Sequence, residues 1–146
     1  MVLNNDFREF IELLNSNSVK YLVVGGYAVT VHGYPRYTSD IDFWLWIDQS
    51  NAEKIIKTLN EFGFGSLGIE LKDFLSPEKV IQLGYPPSRI DLLTSVSGLD
   101  FEDCYPKRAK IELDGLAVDF IDIESLKKNK IASGRHKDLN DLENLE

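Results

Sequence analysis

Apolar residues along the chain fall into runs of two different periods. Phe7, Phe10, Ile11, Leu13 and Leu14 recur at helical spacing, which predicts an amphipathic helix over 6–16 that ends in Asn15-Ser16-Asn17-Ser18. Tyr21 to Val24 reads as a short apolar strand. Gly25-Gly26 punctuates it, and residues 27–32 suit a helix closed by Gly33. Residues 41–47 (IDFWLWI) are apolar on both faces, as a strand covered on both sides requires. A helix is predicted over Asn51–Phe62 with Ser50 or Asn51 as its N-cap. Residues 63–78 carry no period. Lys79–Leu83 and Arg89–Thr94 read as strands around the turn Gly84-Tyr85-Pro86-Pro87, and Phe101–Tyr105 reads as a helical turn. Ala109–Leu113 and the run from Leu116 to Ile121 flank Asp114-Gly115, a hairpin signal. Gly134 divides the end into helices over 123–132 and 136–145.

These elements predict an α/β (α+β) fold, a mixed β-sheet flanked by helices. One domain is expected over 1–146, with the sheet core in 1–122 and two C-terminal helices in 123–146. Composition adds boundaries. The one cysteine, Cys104, excludes an intrachain disulfide and argues against a thiolate zinc site. No apolar run approaches 18 residues and no leader opens the chain, so a soluble cytoplasmic protein without a membrane partner is expected. The net charge is −8, but residues 105–137 hold eight cations against five acids and stand at +3. The remainder is therefore −11, a poor surface for general nucleic-acid binding. The basic strip suits either a solvated helix face or a phosphorylated ligand.

Candidate chemistry centres on Asp40-Ile41-Asp42 at the mouth of an apolar strand. Residues i and i+2 share a strand face, so the two carboxylates project together and repel. Arg36 is the cation nearby in sequence. A divalent metal answers the repulsion better, since Mg²⁺ takes carboxylates together with substrate phosphates. Asp91, in the apolar run RIDLLT, is a third acid in the same kind of setting. If its strand lies beside that of Asp42, the three form a metal cluster; otherwise Asp91 pairs with Arg89 or sits at a sheet edge. Gly25-Gly26, between strand and helix, lets backbone N–H groups approach a phosphate or simply makes a turn.

Gly25-Gly26, Ala28, His32-Gly33, Arg36, Thr38 and Asp40-Ile41-Asp42 together resemble the signature of the nucleotidyltransferase superfamily, the polymerase-β-like fold. The pattern resembles that of a small prokaryotic branch similar to the abortive-infection-type nucleotidyltransferase toxins. The late segment KIASGRHKDLNDL resembles that branch's C-terminal motif at Lys130, Arg135, Lys137, Asp138 and Asp141. The resemblance implies two Mg²⁺ ions, with Mn²⁺ as a substitute, held by Asp40, Asp42 and Asp91. It implies transfer of a nucleoside monophosphate from an NTP to an acceptor hydroxyl with release of pyrophosphate. Phosphate contacts are expected from Gly25, Gly26, Arg36, Thr38, Lys130 and Lys137. The acceptor is left open among a small molecule, a protein and tRNA. The other reading the resemblance offers is a weakly active or inactive antitoxin-like protein that binds a partner in a toxin–antitoxin pair.

Overall fold

The computed structural model describes residues 3–35 and 37–145. Helix α1 (Asn5–Ser16) forms where the apolar period places it, and Phe7, Phe10, Ile11 and Leu14 make its buried stripe. Asn4 caps it by accepting the Phe7 N–H at 2.8 Å. Strand β1 (Tyr21–Val24) is buried throughout. Helix α2 (Gly25–Val31) follows without a loop, so the two glycines lie in its first turn rather than before it. His32 ends α2, and its Nε2 lies 2.7 Å from the Ile121 carbonyl oxygen.

Strand β2 (Asp40–Leu45) starts at the first of the paired aspartates. Helix α3 (Gln49–Phe62) begins earlier than the sequence pattern indicates, because Asp48 is the N-cap and accepts the Asn51 N–H at 3.1 Å. Asn51 has a different task. Buried at 3% exposure, it accepts from the Lys20 N–H and donates to the Lys20 and Trp46 carbonyls. It thereby ties the entry of β1 to the exit of β2. A 3₁₀ turn at Leu71–Phe74 precedes β3 (Val80–Leu83) and β4 (Arg89–Leu93). Helix α4 (Phe101–Cys104) leads to the hairpin of β5 (Ala109–Leu113) and β6 (Leu116–Phe120). Its two-residue turn has φ of 53° at Asp114 and 79° at Gly115, both in the left-handed region that such turns require.

The strands form one mixed sheet in the order β3-β4-β2-β1-β6-β5. β2 runs parallel to β4 and antiparallel to β1. Phe43 meets Phe10 of α1 at 5.4 Å between ring centroids, so the Ile41, Phe43 and Leu45 side of β2 faces α1 and α3. Asp40, Asp42 and Trp44 therefore point to the opposite face, where Trp44 packs edge-on against Phe101 of α4.

Helices α5 (Ile123–Ser133) and α6 (His136–Asn144) are split at Gly134, which takes a left-handed φ of 63°. They are joined by charge rather than by an apolar seam. Lys130, expected on an exposed basic strip, is 3% exposed and lies 3.2 Å from Asp138 and 3.1 Å from Asp141. Asp141 thus faces Lys130, not Lys137 as simple i,i+4 spacing allows. Lys130→Ala removes the buried cation that Asp138 and Asp141 share and is expected to lower stability by about 3 kcal/mol, measured by urea unfolding; a loss below about 1 kcal/mol, the range of exposed pairs, would contradict this role.

Candidate active site

Parallel pairing of β2 with β4 sets Asp42 opposite Asp91 and Asp40 opposite Arg89. Because period-2 alternation is shared across the pair, all four side chains lie on one sheet face. One carboxylate oxygen from each of Asp40, Asp42 and Asp91 lies within 4.8 Å of the others. Asp91 is 5% exposed, deep between strands, while Asp40 and Asp42 are half-buried.

Arg89 answers part of the repulsion. Its Nε donates to Asp91 Oδ1 at 3.0 Å, and its Nη2 donates to Asp91 Oδ2 and Asp40 Oδ2, each at 3.0 Å. Asp42 takes none of these bonds, and among the described residues no cation stands within ion-pairing distance of it. Burial first, then the charges of Asp40 and Asp91, push its carboxyl up to about 7, with Lys137 acting weakly in the other direction. Burial also raises Asp91, against the pull of Arg89.

The glycine that opens α2 is explained by this cluster. Gly25 has a φ of 70°, and a Cβ there would fall onto the Asp42 carboxylate. The position is thus doubly restricted, by backbone region and by contact. Asp42 and Gly25 open into a cavity of about 770 Å³ that Ser95, Ser97, Ser133 and Arg135 also line. Arg135 stands there on the bond from its Nε to Asp138, 2.6 Å long. Lys137 is exposed on α6, close enough for its charge to act on Asp42.

The structure therefore brings Asp40, Asp42 and Asp91 together, and Asp42 with Gly25 carries that cluster to the cavity. Gly26 is buried in the first turn of α2. Thr38, expected at phosphate, donates its hydroxyl to the Asp40 carbonyl at 3.1 Å and holds the entry to β2. Lys130 is turned into the α5–α6 ion-pair cluster, away from the role expected for it. Arg36 lies outside the described residues. Two residues exceed the sequence reading. Arg89 bridges two acids at once, and its signal was its place two residues before Asp91 on the same strand face. Arg135, part of the late motif but given no role, is the one cation that lines the cavity among the described residues.

Three carboxylates on adjacent strands, beside the glycine that opens α2, sit in a six-stranded mixed sheet flanked by helices, a nucleotidyltransferase-type fold. The chain belongs to the family described as nucleotidyltransferases of unknown function, DUF6036, whose model matches residues 3–146. Among solved structures it is similar to a nucleotidyltransferase candidate from Thermotoga maritima, with TM-score 0.64 and 16% identity over 94% of this chain and 88% of that one. It is also similar to an antigenic nucleotidyltransferase-like protein of Paracoccidioides brasiliensis (TM-score 0.60, 19% identity, 99% of this chain and 77% of the other). A third is the lincosamide antibiotic adenylyltransferase LnuA, solved with lincomycin bound (TM-score 0.56, 17% identity, 99% and 96%). At these identities the likeness is one of fold. No curated protein sequence matches the chain significantly.

Two expectations test the electrostatics. Asp42 binds its proton more tightly folded, near 7, than unfolded, near 3.8. The stability this lends is complete below the unfolded value and is lost as pH rises through the folded one. In chelator, wild type should lose about 2–3 kcal/mol more than Asp42→Asn between pH 5 and pH 8; parallel urea midpoints for the two proteins would refute the shift. Gly25→Ala should destabilise by about 2 kcal/mol or more in wild type and by only about 1 kcal/mol in an Asp42→Ala background, where the backbone cost alone remains. Equal losses in both backgrounds would show that Asp42 does not restrict position 25.

Proposed function

We propose that this protein transfers a nucleoside monophosphate from an NTP to an acceptor hydroxyl, using a divalent metal held by Asp40, Asp42 and Asp91. The convergence of three carboxylates, in a chain of this family, carries the reading. The donor set fits the group. It is all oxygen, from carboxylates within 4.8 Å of one another, as Mg²⁺ or Mn²⁺ prefers. A bound divalent ion would offset the triphosphate's charge and that of the departing pyrophosphate.

The remaining work falls to the chain. Gly25 leaves room for a phosphate to approach the backbone beside Asp42. Arg135 gives positive charge at the cavity wall, and Lys137 lies near enough for its charge to reach Asp42, both suited to the triphosphate. The acceptor oxygen bonds to the α-phosphorus as the α–β bridging bond breaks. Pyrophosphate leaves, and the hydroxyl proton passes to a carboxylate of the cluster, a role we assign to Asp91. Positioning and charge supply most of the rate in this chemistry. An inactive partner-binding protein of the same fold has no need of three converging acids, so the enzyme reading is preferred.

The test is to incubate the protein with each α-labelled NTP, Mg²⁺ and cell extract, and to follow label transfer and pyrophosphate. Wild type should label an acceptor, and Asp42→Asn should not. Thermal melts give a second measure. At pH 8, above the raised Asp42 value of about 7, metal-free Asp42→Asn should melt higher than wild type, since a like charge is gone. With Mg²⁺ and NTP at about 100 times Kd, wild type should gain about 2.7 kcal/mol and the variant much less. A uniform loss in the variant under both conditions would make these carboxylates structural.

A further inference from the structure

We propose that Arg89 is an internal counter-cation that competes with a divalent metal ion for Asp40 and Asp91. The inference rests on the metal site proposed above and concerns what that site does when no ion is present. Arg89 is the first residue of β4, two before Asp91 and directly across from Asp40 in the parallel register. Its guanidinium meets both oxygens of Asp91 as a fork and reaches Asp40 with the shared Nη2. Such bidentate pairs are among the stronger charge-assisted contacts.

Arginine keeps its charge at any pH the folded protein survives. Arg89 therefore cannot be silenced; it has to move. Both oxygens of Asp91 and one of Asp40 are the hard donors that a small dication needs. A dication among them would stand within a few ångströms of the guanidinium, where like charges repel. The two cations exclude each other. Exit is easy for Arg89, whose side chain is 29% exposed, whereas that of Asp91 is 7% exposed. Water can take over its N–H groups as soon as it swings out. Asp42 is left outside the fork as the ligand an incoming ion meets first. A free ion should accordingly bind weakly. An ion that arrives with a polyphosphate should bind better, because the anion compensates the displaced guanidinium.

The experiment uses the full chain stripped with chelator, with Mn²⁺ as the probe. Free Mn²⁺ is followed by electron paramagnetic resonance, and heats by calorimetry. Arg89→Gln should bind Mn²⁺ at least ten-fold more tightly than wild type and melt lower than wild type without metal. Arg89→Lys keeps the charge but loses the fork, and should bind a few-fold more tightly than wild type. A folded Arg89→Gln that binds Mn²⁺ equally or more weakly overturns the proposal. If Arg89→Gln folds only once Mn²⁺ is added, the ion has replaced the guanidinium and the proposal stands. If it folds under neither condition, Arg89→Lys decides, and unchanged or weaker binding there overturns the proposal. Where wild type binds Mn²⁺ and the variants bind no more tightly, the role of Arg89 falls and the metal site survives. Where no folded protein binds Mn²⁺, both fall.

Discussion

Three carboxylates that repel one another are held together by strand register. The parallel pairing of β2 with β4 puts Asp42 across from Asp91, and alternation adds Asp40 on the same face. Ile41 and Phe43 turn the aspartates away by filling the core on the other face, and backbone hydrogen bonds hold the register against the charges. The neighbourhood is shaped by the consequence. Arg89 forks across two of the acids, Asp42 retains its proton toward neutral pH, and position 25 accepts only a residue without a side chain.

The two faces of the sheet divide the labour. Phe10 and Phe43 represent the side on which α1 and α3 close the core, and that side resembles the interior of any small mixed domain. The other face is covered only in part. Trp44 and Phe101 fill it at one end, while α5 and the start of α6 stand off from Asp42 and leave the cavity between. The structural neighbours share the frame at 16–19% identity, so the frame persists while most side chains change.

Much of this was legible in the sequence. The mixed sheet, the Asp114-Gly115 hairpin and the break at Gly134 follow from period and turn chemistry. The three acids stood out because charge inside apolar runs demands a partner. What was not legible was which partner each charge would find. Lys130 sits among polar neighbours in sequence, and only the docking of α6 on α5 turns it inward to Asp138 and Asp141. Arg89 is close to Asp91 in sequence, but its bond to Asp40 depends on a strand pairing across 49 positions. The cap of α3 fell on Asp48 because Asn51 was needed between β1 and β2, a tertiary demand that overrides local capping preference.

The buried Lys130 cluster has a bearing on how ionic strength acts on the protein. Mobile ions screen charges that water reaches and scarcely touch those sealed inside. The link between α5 and α6 is of the sealed kind, with side-chain exposures of 4% for Lys130 and 1% for Asp138 and Asp141. Arg135 and Lys137, carried at the start of α6, are of the open kind. Raising salt should therefore leave α6 seated while it weakens the pull of these cations on an anionic ligand. Electrolyte would then tune how the proposed triphosphate occupies the cleft without altering the architecture that frames it.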